Sequence, residues 1–211
     1  MSPAGTGEPA LAAAVGADVS FDAVVLAGGR ASRLGGASKP DVVVRGRRML
    51  AHVLDAAAQA RQAVVVGPPA LEVPPGVRLT LEDPPDGGPA AGIAAGLAAL
   101  DAPGEWVLLL ACDVPLVAAA VPRLAGLAAA RRDDTAFDGV MLVDADGREQ
   151  PLVGLYRRAA LESGLARLAG GRGVRGAPVR AILTEMHVQR LADEGASRDV
   201  DTWEDVRRIE G

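Results

Sequence analysis

A short apolar run that breaks into paired glycines limits what this chain can fold into more than any other stretch. From Asp22 it reads Asp-Ala-Val-Val-Leu-Ala-Gly-Gly-Arg-Ala-Ser-Arg-Leu-Gly-Gly-Ala-Ser-Lys-Pro, ending at Pro40. Residues 23–27 are continuously apolar rather than alternating, the pattern of a strand buried on both faces. Gly28 and Gly29 follow at once and let the backbone take positive φ or approach a ligand closely. Successive N–H groups in such a loop form a concavity suited to phosphate oxygens. Arg33 and Lys39 lie within reach of the loop, with Arg30 as a third cation. A buried strand, a glycine loop and fixed cations together suggest a polyphosphate site.

Two commoner glycine motifs do not fit. The dinucleotide fingerprint needs G-x-G-x-x-G opening a helix, and that spacing is missing. The P-loop needs G-x-x-x-x-G-K-[ST], whereas Lys39 is followed by Pro40. Lysine usage sharpens the point. Lys39 is the only lysine among 22 basic residues, in a chain rich in Ala, Gly, Pro and Arg. A compact ammonium binds phosphate as a point charge, which a planar guanidinium does not reproduce.

Composition bounds the rest. A chain of 211 residues is expected to form one α/β domain with a sizeable core. Aromatics are only 2%, so that core must be built from Ala, Val and Leu. The net charge of −5 argues against a nucleic-acid or membrane-surface partner. One cysteine, Cys112, excludes an internal disulfide and suits a reducing compartment. No apolar run approaches the ~18 residues of a membrane span. Residues 1–17 carry no Lys or Arg, unlike a secretory signal. The expectation is a cytoplasmic protein with a loose leader over 1–20 and a single domain over 21–211.

Periodicity predicts strands at 23–27, 42–44, 63–66, 77–81, 106–111, 139–143, 151–156 and 187–191. It predicts helices at 49–60, 92–100, 122–131, 157–168, 178–186 and from Thr202 to residue 209, where Asp205 completes a capping pair. Residues 67–76 hold four prolines and read as a loop. Asp144-Ala-Asp-Gly147 reads as a hairpin turn. The order predicts a mostly parallel three-layer α/β/α sheet with an antiparallel part.

Ligands bind beyond the carboxyl ends of the strands in such sheets. Three groups fall at such ends: the Gly28-Gly29 loop, Asp83 and Asp113. Asp113 follows seven apolar residues, where a carboxylate must be paired or bind metal. With substrate phosphates it suits Mg²⁺; capping the next turn is the plainer role. Asp83 reads either as a site residue or as a solvated carboxylate. Gly170-Gly-Arg172-Gly-Val-Arg175-Gly reads as a cationic loop for an anion or as a surface turn. Cys112, His52 and His187 read as structural.

The stretch from Leu26 matches L-A-G-G-x-x-x-R-x-G-x-x-x-K. This resembles the signature loop of the nucleotidyltransferases that build activated sugars and cofactors, and is most similar to the molybdenum cofactor guanylyltransferases. The resemblance implies a Rossmann-like nucleotidyltransferase fold. It implies nucleotide contacts at Leu26, Ala27, Gly28, Gly29, Lys39, Asp83, Gly88 and Asp113, and catalytic roles for Lys39, Arg33 and Asp113. Cys-Asp-x-Pro at 112–115 resembles the family's metal motif, with Asp201 as a second carboxylate for metal or a helix cap. Gly88-Pro-Ala-Ala-Gly92 resembles the segment beside base and ribose. Pro151 to Arg157 resembles a segment on the acceptor side. Arg198-Asp-Val-Asp201-Thr-Trp-Glu-Asp205 resembles the closing Asn-x-Asn-Thr-Pro-Glu-Asp. Its aspartates match the cytidylyltransferase relatives better, whereas Gly28-Gly29 favours guanine. The activity implied is GMP transfer from GTP to the terminal phosphate of molybdopterin, with Mg²⁺ as cofactor and molybdoenzymes as recipients. Cytidylyl transfer is the alternative, and a non-catalytic nucleotide or cofactor carrier is a reading of another class.

Overall fold

The computed structural model of the chain describes residues 19–28 and 38–211. Strand β1 (Phe21–Leu26) leads toward the glycine loop. A one-turn 3-10 helix at Lys39–Asp41 follows, started by Pro40. A small hairpin pairs β2 (Val43–Val44) with β3 (Arg47–Arg48) through the left-handed Arg45 and Gly46. Then come α1 (Met49–Ala56), β4 (Ala63–Val66), β5 (Val77–Thr80), α2 (Pro89–Ala98), β6 (Trp106–Ala111) and α3 (Val121–Ala130). The chain closes with β7 (Gly139–Val143), β8 (Glu149–Arg157), α4 (Arg158–Gly170), α5 (Val179–Leu183), β9 (Val188–Ala192) and α6 (Trp203–Glu210).

Seven strands form one sheet in the order β5-β4-β1-β6-β8-β7-β9. The first four run parallel, β8 is antiparallel to both its neighbours, and β9 is parallel to β7. The expected three layers and mixed sheet are therefore present. Strand side chains alternate between two cores. Ala23, Val25, Leu108, Leu110 and Leu142 pack with α1 and α3. Val24, Val66, Leu109, Met141 and Tyr156 pack with α2, α4 and α5. A third cluster of Val42, Val44, Met49, Val200, Val206 and Ile209 joins the small hairpin to α6.

Glycine sets how closely α2 approaches the sheet. A Cβ on Gly96 would lie 2.4 Å from Val24 Cγ1. The helix begins at Pro89, three residues before the predicted start, because proline suits a first helical position, whose N–H would have no partner within the helix. Helix α1 stops at Ala56, four residues early, in an open turn run before β4. Helix α5 is likewise shorter than its predicted span.

An irregularity in β8 faces the site. Met141 pairs with Gly154, but Leu142 pairs with Gln150, so residues 151–153 bulge away from β7. Pro151 cannot donate to a ladder, which favours such a break. Tyr156 braces the bulge: its hydroxyl donates to Pro151 O at 2.9 Å, and its ring lies where a Cβ on Gly154 would sit.

Candidate active site

Strands β1 and β6 are neighbours in register, with Leu26 opposite Ala111. Cys112 N donates to Leu26 O at 3.0 Å, and Ala27 N to Val66 O at 2.8 Å. The chain therefore leaves the sheet side by side at Gly28 and at Asp113. Lys39 enters from the one-turn helix, whose Asp41 is paired with Arg48. Its Nζ donates to Asp113 Oδ2 at 2.8 Å and also to Asp201 Oδ1. Partial burial opposes the charge on Lys39, but the hydrogen bonds and charges of Asp113 and Asp201 outweigh it and hold its pKa well above 10.5. The sole lysine is thus a permanent cation between two carboxylates.

Asp201 reaches this point because the chain on either side of it is fixed. Val200 is fully buried in the third cluster, and its N–H donates to Asp113 O at 2.9 Å. Thr202 and Asp205 form a reciprocal capping box that starts α6. Asp199 stands nearby, its carboxyl pushed up by burial and then by the charges of Asp201 and Asp113.

A cavity of about 460 Å³ opens beside the Lys39–Asp113 pair, at the carboxyl ends of β1, β4 and β6. Leu26, Val66, Gly92 and Leu152 give it apolar walls; Gly28, Gly88, Glu82 and Asp86 lie at its polar side. Among the described residues, a Cβ on Gly28 would meet nothing within 4 Å, and its backbone lines this cavity. Gly88 has φ +82, which favours glycine at this turn into α2. Ala27 is buried behind the loop. Asp83 is exposed and outside this lining. Glu82 takes the inward place and accepts from Gly87 N at 3.1 Å. Gly29, Arg30 and Arg33 lie outside the described residues.

A second cavity of about 330 Å³ adjoins the first and shares Pro89, Ala111, Asp113 and Leu152 with it. The bulged residues Pro151 and Val153 line it, together with Gln150, Arg180, Ser197 and Asp199. Arg180 is its one cation among the described residues. The motif arginine, Arg157, is at the far end of β8. It donates to Phe137 O at 2.8 Å, stacks on Trp106 and pairs with Glu105. Tyr156 is buried, so both close the core instead of facing this cavity. The glycine-rich loop after α4 braces the turn that leads into α2: Gly176 N donates to Gly87 O at 2.7 Å, and Arg175 donates to Pro84 O at 3.2 Å. A larger cleft of about 690 Å³, around Met141, Leu183 and Arg190, includes neither Lys39 nor Asp113.

The chemistry of this arrangement is electrostatic. Burial pushes the Cys112 thiol up to about 12, which removes it as a nucleophile. His52 bonds Val44 O at 2.8 Å, and His187 is exposed beside Asp138. Two carboxylates already share one cation, so oxygen ligands for a hard divalent ion are at hand. Among the described residues no group of three His, Cys, Asp or Glu side chains forms a closed metal cage. One or two carboxylates completed by substrate phosphates is how Mg²⁺ is usually held. Among the described residues no helix is long and apolar enough to cross a membrane.

Residues 23–193 match the family model of the MobA-like NTP transferase domain. A molybdenum cofactor guanylyltransferase of Cupriavidus pinatubonensis is 32% identical over 199 residues, covering 89% of this chain and 94% of that one. Another, of Rhodopseudomonas palustris, is 36% identical over 142 residues, 64% of this chain and 65% of that one. Among solved structures, Rv0371c of Mycobacterium tuberculosis H37Rv has a TM-score of 0.69 at 26% identity, covering 92% of this chain and 98% of that one.

Proposed function

The chain belongs to the MobA-like NTP transferase family, and we propose that it transfers GMP from GTP to the terminal phosphate of molybdopterin, releasing pyrophosphate. The observation that carries this reading is the Lys39–Asp113 contact at 2.8 Å, at the junction of two cavities. The first cavity takes the nucleotide, with the base between the apolar walls and Glu82 and the triphosphate against Gly28. The second takes the acceptor. An acceptor phosphate oxygen attacks the α-phosphorus, the bond to the β-phosphate bridging oxygen breaks, and pyrophosphate leaves with that electron pair.

That nucleophile is already ionised at neutral pH, so no general base is needed. Catalysis is then positioning and charge neutralisation. Lys39, with Arg33 from the glycine loop, stabilises charge on the α-phosphate and the leaving pyrophosphate. Asp113 and Asp201 are the residues that would hold Mg²⁺, which supplies Lewis-acid charge neutralisation and a template for the phosphates. The closing aspartates at 199 and 201 keep cytidylyl transfer as the second reading. Competition binding with GTP, CTP and ATP, followed by pyrophosphate release with Mg²⁺ and molybdopterin, separates the two. GTP should bind best and alone support release. Release with CTP but not GTP would move the assignment to cytosine, and no release with any nucleotide would favour a carrier.

A further inference from the structure

The capping box of α6 makes two bonds more than a cap requires, one of them to backbone outside the box. A reciprocal box needs the Asp205 side chain on the Thr202 N–H and the Thr202 side chain on the Asp205 N–H. Both are present, at 2.9 and 3.2 Å. Asp205 Oδ2 also accepts from Thr202 Oγ1 at 2.7 Å and from Asp201 N at 3.2 Å. The extra backbone bond therefore goes to the residue whose carboxylate meets Lys39. Asp201 belongs to no helix or strand, and its side chain is 40% exposed. A carboxylate on irregular backbone must lose conformational freedom before it can hold a ligand. The Val200–Asp113 backbone bond fixes the chain before Asp201, and Asp205 fixes it from the other side.

We propose that Asp205 is a positioning residue of the reaction: through its bond to Asp201 N it aims the Asp201 carboxylate at Lys39 and at the metal that Asp113 shares. The inference rests on the proposed role of Asp201 as a metal ligand. It separates helix capping from site geometry, because the two use different bonds of one carboxylate.

The test compares four variants in the full chain by Mn²⁺ affinity, read from the paramagnetic resonance of free Mn²⁺ with a non-hydrolysable GTP analogue saturating. Thr202→Val removes the hydroxyl half of the box but keeps the acceptor of Asp201 N; Asp205→Ala removes that acceptor. Melting temperatures show how far each change weakens the fold. Asp205→Ala should weaken Mn²⁺ binding roughly tenfold or more, the usual effect of losing the support of a metal ligand. Thr202→Val should leave it near wild type at a similar loss of stability. Asp205→Asn, which keeps an oxygen acceptor, should restore most of the affinity. Unchanged affinity in Asp205→Ala, or equal losses in both cap variants, would overturn the proposal. If Asp201→Ala itself leaves Mn²⁺ binding intact, the role of Asp201 fails and the positioning role falls with it. Failure of GTP selectivity alone would touch only the base assignment.

Discussion

Lys39 sits where two carboxylates compete for one ammonium, and its charge governs what the site can do. Replacing it with methionine keeps the length of the side chain and removes the cation. Turnover should fall about 10²-fold or more, the scale of losing one group aimed at developing charge. Stability should fall by only about 1 kcal/mol, since the pair is partly solvated. Steady-state kinetics and urea unfolding check the two together. The pKa of Lys39 is raised by folding, so its stabilising contribution is complete below the unfolded value and is lost as pH rises through the higher folded value. The stability difference between wild type and Lys39→Met should therefore stay flat to about pH 10 and shrink only in stronger alkali. Much of this was legible in the sequence, because a single lysine in an arginine-rich chain stands out. Glu82 was not. It neighbours Asp83 in an irregular segment, and no periodicity tells which of two adjacent carboxylates faces inward.

At the scale of elements, α2 borders the first cavity, and its fit to β1 rests on a missing side chain. Alanine at position 96 would gain helix propensity, worth about 1 kcal/mol. It would also drive a Cβ to 2.4 Å from Val24 Cγ1, on a stiff β-branched residue in a closed core. Overpacking of that kind costs about 1–3 kcal/mol, so Gly96→Ala should destabilise on balance. A urea midpoint below wild type is the expected result. Element type followed from the sequence wherever an apolar run ended in glycine or charge: β4, β6 and β7 have the predicted bounds. Helix ends were less legible, since Pro89 reads equally as loop or as first helical residue. The bulge in β8 left no signal beyond Pro151. Its brace, Tyr156 over Gly154, depends on a contact across the strand that spacing does not reveal.

Across the whole molecule, the sheet divides the labour. The parallel strands β4, β1 and β6 end at the first cavity, and antiparallel β8 turns its bulged segment toward the second. Both cavities meet at Asp113, so donor and acceptor would approach from different halves of the sheet. Arg180 lines the second cavity and the larger cleft beside it, but not the first cavity. Arg180→Ala should raise KM for molybdopterin roughly tenfold, the value of one charge-assisted hydrogen bond, and leave GTP affinity unchanged. Initial rates with each substrate varied in turn would show the split. The most direct measurement follows the label from GTP labelled at its α-phosphorus, with Mg²⁺ and molybdopterin, in wild type and in Asp113→Ala. Label should pass into the pterin product with wild type, and transfer should fall at least about 10²-fold in the variant. Label remaining in GTP with wild type, or passing at the same rate without the Asp113 carboxylate, would contradict transfer at this junction.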